Sequence, residues 1–81
     1  MRNLASIIAA LALAGCTSAA VKADDEYRFL KENGGSKNEL CAAAKKARDA
    51  WALEKNQDRY GQAKLNADIA CLSARMEAAG L

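Results

Sequence analysis

The chain has 81 residues, 12 of them Lys or Arg and 10 Asp or Glu, for a formal net charge of +2. So small a surplus excludes the basic footprint on which nucleic-acid binding rests. There is no His and no Pro, so the usual general base near neutral pH is missing and no proline interrupts a helix.

The first element is a leader. Met1-Arg2-Asn3 is a short positive start, and Leu4–Ala14 is apolar apart from Ser6. A bilayer core needs about 20 apolar residues, so this run is too short to span one. A charged start, a short apolar stretch and small residues before a cleavage point form a secretory signal. The ending Leu13-Ala14-Gly15-Cys16 resembles the lipobox of bacterial lipoprotein precursors. The resemblance implies that residues 1–15 are removed by cleavage between Gly15 and Cys16, and that Cys16 carries a covalent lipid. Thr17 follows that cysteine, where an Asp would favour retention in the inner membrane, so the resemblance implies an outer-membrane anchor facing the periplasm or the cell surface.

What would remain is residues 16–81, a size at which a hydrophobic core alone is marginal and a covalent staple is common. Fifteen of those 66 residues are Ala, and only Thr17, Val21 and Ile69 are β-branched. Alanine is the best helix former, whereas sheets want the branched residues missing here. The expected class is all-α: a short N-terminal helix followed by a disulfide-linked antiparallel helical hairpin.

Residues 16–23 read as a flexible tether and residues 24–81 as one small helical domain. Asp24-Asp25-Glu26 suits the positive start of a helix, and Asp24, Arg28 and Glu32 are spaced for alternating surface ion pairs. Tyr27 and Leu30 share a face. Asn33-Gly34-Gly35 stops that helix, because glycine accepts the left-handed backbone of a C-cap. Ser36-Lys37-Asn38-Glu39 is a capping box opening a second helix to about Lys55. Leu40, Ala44, Ala47 and Trp51 form its apolar stripe. Asn56-Gln57-Asp58 is the predicted turn, with Asp58 as N-cap of a third helix running to about Ala79. That helix carries Ala63, Ala67, Ala70 and Ala74 on one face, and Leu65, Ile69, Leu72 and Met76 as a second stripe.

With Cys16 acylated, Cys41 and Cys71 are the remaining thiols, and an oxidising periplasm favours their pairing. Their midpoint is Asn56, inside the predicted turn, as an antiparallel hairpin requires. The same register sets Trp51 opposite Gly61 and Leu40 opposite Leu72. The alternative is one continuous helix from Lys37 to Ala79, which would wet both stripes and pair its cysteines only between molecules.

Little here carries reaction chemistry. The carboxylates lie scattered beside basic residues, there is no Cys-x-x-Cys spacing, and acylation plus one disulfide leaves no metal ligand set. The expectation is a protein that is not an enzyme, with no catalytic residue, metal or cofactor beyond the lipid on Cys16. Lys45, Lys46 and Arg48 form a basic cluster, tempered by Asp49, that reads as a solvated face or a touch on lipid headgroups. Trp51 and Tyr60 flank the turn and read either as core filling or as a contact at the hairpin tip. The expected role is a membrane-anchored envelope lipoprotein acting by contact with an unknown envelope protein, in exclusion or accessory binding. The alternatives are a membrane-perturbing lysis or release lipoprotein, or a structural spacer. The lipobox, short body and two further cysteines are loosely similar to the small exclusion lipoproteins of conjugative plasmids.

Overall fold

The computed structural model describes residues 18–80, which form three helices: α1 (Ala19–Glu32), α2 (Lys37–Leu53) and α3 (Gln57–Ala78). No strand occurs among the described residues. The expected leader (residues 1–15) and the expected lipidation site Cys16 lie outside them.

Helix α1 begins earlier than its acidic cluster suggests. The Ser18 hydroxyl accepts from the Val21 amide at 3.0 Å and caps the helix at Ala19. The second half of the expected tether is therefore helical, and Ala20 and Ala23 are buried. A Ser before Ala-Ala-Val-Lys-Ala supplies both the cap and the propensity. The far end closes as read from the sequence. Gly34 takes φ +75°, and the Gly35 amide reaches back to the Leu30 carbonyl at 2.7 Å. A Cβ at Gly35 would stand 3.0 Å from that of Leu30, so a larger residue there would push Leu30 back by a few tenths of an ångström.

The capping box of α2 is formed. The Glu39 amide donates to the Ser36 hydroxyl at 3.1 Å, and the Ser36 amide donates to the Glu39 carboxylate at 3.0 Å. The Ser36 backbone bond, then its hydroxyl, hold the Glu39 carboxyl below its ordinary value of 4.5. A depressed carboxyl stabilises the fold above that ordinary value, and the contribution disappears as pH falls through the lowered one. Acid titration followed by circular dichroism is expected to show this loss below about pH 4.5 in the native chain and not in Glu39→Gln.

The turn after α2 closes on a residue other than glycine. Lys55 takes φ +56°, its amide donates to the Ala52 carbonyl at 3.1 Å, and the Asn56 amide donates to the Trp51 carbonyl at 3.3 Å. This is the left-handed helix stop that glycine usually supplies. Lys55→Gly is expected to raise stability by about 0.5–1 kcal/mol, since relief of the left-handed backbone exceeds the added chain entropy; a shift in urea midpoint measures it. Asn56, not Asp58, caps α3, accepting from the Arg59 amide at 3.2 Å.

Helices α2 and α3 pack as a helical hairpin, and α1 lies along α2. Cys41 and Cys71 are disulfide-bonded at the end away from the turn, with Cα atoms 4.5 Å apart. Such proximity is possible because the helices meet through alanine. The buried hydrophobic residues are Ala20, Ala23, Ala43, Ala44, Ala47, Ala63, Ala67, Ala74 and Trp51. Leu40 is half-buried at the edge of this seam.

Candidate functional site

The densest polar and aromatic cluster sits at the turn end. Trp51 is buried against Ala20 and Ala63, with Ala50 and Tyr60 beside it. Its indole N–H donates to the Asp24 carboxylate at 2.9 Å, a bond linking α2 to α1. The Arg59 guanidinium lies 5.8 Å from the indole ring centroid, within cation–π range. The Glu54 carboxylate accepts from the Ala20 amide at 3.1 Å. A residue ending α2 thus satisfies a free donor in the first turn of α1, where the helix dipole favours negative charge.

These contacts change several expectations. Trp51 lies within the core with the half-buried Tyr60 packed against it, the core-filling one of the two readings of this pair. Gly61 does not face the indole: a Cβ there would meet nothing within 4 Å. Ala63, two residues on, points inward instead, because the rotation of α3 turns position 61 to solvent. Asp24 is committed to Trp51, and no Asp24–Arg28 ion pair forms among the described residues.

The basic cluster is divided. Lys46 pairs with Glu26 of α1 at 3.3 Å, and Arg48 with its neighbour Asp49 at 2.9 Å. The Asp49 hydrogen bond pushes the Arg48 pKa further up, so this guanidinium stays charged. Lys45 is exposed. Two of the three cations are thus occupied by carboxylates, which leaves little net attraction for an anionic surface.

The most prominent exposed feature is on α3. Leu65, Ile69, Leu72 and Met76 are between 44% and 58% exposed, on the side opposite the buried Ala63–Ala67–Ala74 seam. At 100° per residue the two rows are about half a turn apart. The sequence shows both rows; the structure buries only the alanine one. Phe29 and Leu53 are also exposed, but stand singly on other elements. No helix among the described residues is long and apolar enough to cross a membrane. No protein family, curated protein or solved structure matches this chain.

Proposed function

We propose that this chain is the precursor of a small lipoprotein, anchored through Cys16 to the outer membrane, that works without catalysis by contact with another envelope component. Its scaffold is a short helix docked on an antiparallel hairpin. The observation that carries the reading is the pairing of Cys41 with Cys71. Of the three cysteines, the one outside the bridge is the one that ends Leu13-Ala14-Gly15-Cys16. A disulfide belongs to an oxidising compartment, which is where a lipobox would deliver the protein.

Intact mass spectrometry of protein extracted from bacterial envelopes tests the anchor. The expected species starts at Cys16, carries acyl groups, and is lighter by the two hydrogens of one disulfide. Cys16→Ser is expected to leave the leader attached and no lipid mass. A native chain with Met1 still joined and Cys16 unmodified overturns the proposal.

A further inference from the structure

The outer row of α3 has the spacing of a helix-pairing seam. Leu65, Ile69, Leu72 and Met76 are separated by four, three and four residues, the alternation that keeps one stripe facing a partner helix. All four are about half exposed, and the residues bordering them are polar. Asp68 and Arg75, both exposed, border one side; Asn66 and Ser73 border the other.

We infer that this face pairs with the same face of a second copy, with the two α3 helices antiparallel. In that arrangement Leu65 of one copy meets Met76 of the other, and Ile69 meets Leu72, so the four residues form four closed layers. The border then matches itself. Asp68 falls beside Arg75 of the second copy, and the two-fold axis repeats the pair, as an isologous interface requires. Asn66 falls beside Ser73 on the opposite border. A parallel arrangement would set Asp68 beside Ser73 and Arg75 beside Gly80, with no ion pair. Charge complementarity therefore selects both the occupant and its direction. The dimer does not depend on the lipid anchor. Its apolar patch is small against the ~800 Å² per partner of a standard interface, so association is weak and best read by covalent trapping.

The test uses the full chain expressed in a bacterium in two differently tagged forms, with the photocrosslinker benzoyl-phenylalanine at Leu72. Irradiation is expected to give a product of twice the chain mass carrying both tags. An Asp68→Arg change in both copies, or Arg75→Asp in both, sets like charges together and is expected to cut that product about fivefold. Pairing an Asp68→Arg copy with an Arg75→Asp copy restores both opposite-charge contacts and should return the yield to within about twofold of native. Circular dichroism and retention of the disulfide confirm that each variant is folded. Absence of a two-tag product, crosslinking confined to one chain or to lipid, or a yield indifferent to the charge changes overturns the inference.

Discussion

A Trp51→Ala protein is expected to lose about 3–5 kcal/mol, the usual cost of truncating a buried large aromatic. That is most of what a domain this small possesses. The magnitude follows from the core's composition: among the described residues Trp51 is the one large buried hydrophobic side chain, and the others are alanines. An alanine contributes little apolar area, so the indole supplies a disproportionate share of the burial that joins the three helices. Its removal also strips the Asp24 carboxylate of its N–H donor. Trp51→Phe separates the two effects, since it keeps most of the volume and loses only the donor, worth about 1.5–3 kcal/mol for a charged acceptor. Urea unfolding followed by circular dichroism ranks the variants; equal midpoints for native and Trp51→Ala would remove the indole from the centre of the fold.

Replacing Cys41 and Cys71 together by alanine is expected to cost about 3–4 kcal/mol, from the loop entropy of a closure spanning about 30 residues. The effect is uneven along the hairpin. The turn end keeps Trp51, its bond to Asp24 and the Glu54 contact to α1. The far end retains small alanines, the half-buried Leu40 and the exposed Lys37–Glu77 ion pair at 3.7 Å. Amide exchange is therefore expected to accelerate most around Leu40 and Ala74 and least around Trp51 and Ala63. Uniform acceleration would show that the disulfide holds the whole body equally.

What could be read from the sequence was local or symmetric. The capping box rests on a fixed three-residue spacing, and Gly34 and Gly35 announce a helix stop through backbone freedom alone. The Cys41–Cys71 bridge followed from a turn lying midway between its ends. What escaped depended on partners distant in sequence or on backbone states that side-chain type does not report. Lys55 takes a left-handed conformation that nothing in its identity signals. Asp24 looked like a partner for Arg28, but its carboxylate accepts instead from the indole of Trp51, 27 residues away. Both rows of α3 have helical periodicity; alanine won the interior because it admits the close approach the bridge demands, which turned the larger side chains outward.

The early start of α1 fixes how far such a body can stray. For a protein held at Cys16, only Thr17 separates the attachment from Ser18, a leash of two residue steps or at most about 7 Å. Ser18 lies beside the turn, because the Ala20 amide two residues on donates to the Glu54 carboxylate. An antiparallel α3 pair, whose two turn ends lie at opposite ends, would then have to lie flat on the headgroups, with its two-fold axis along the membrane normal. Helix α3, 22 residues long, spans about 33 Å. A protein so held would reach no farther than some 40 Å from its attachment, since the structured start of α1 leaves no slack for a longer reach.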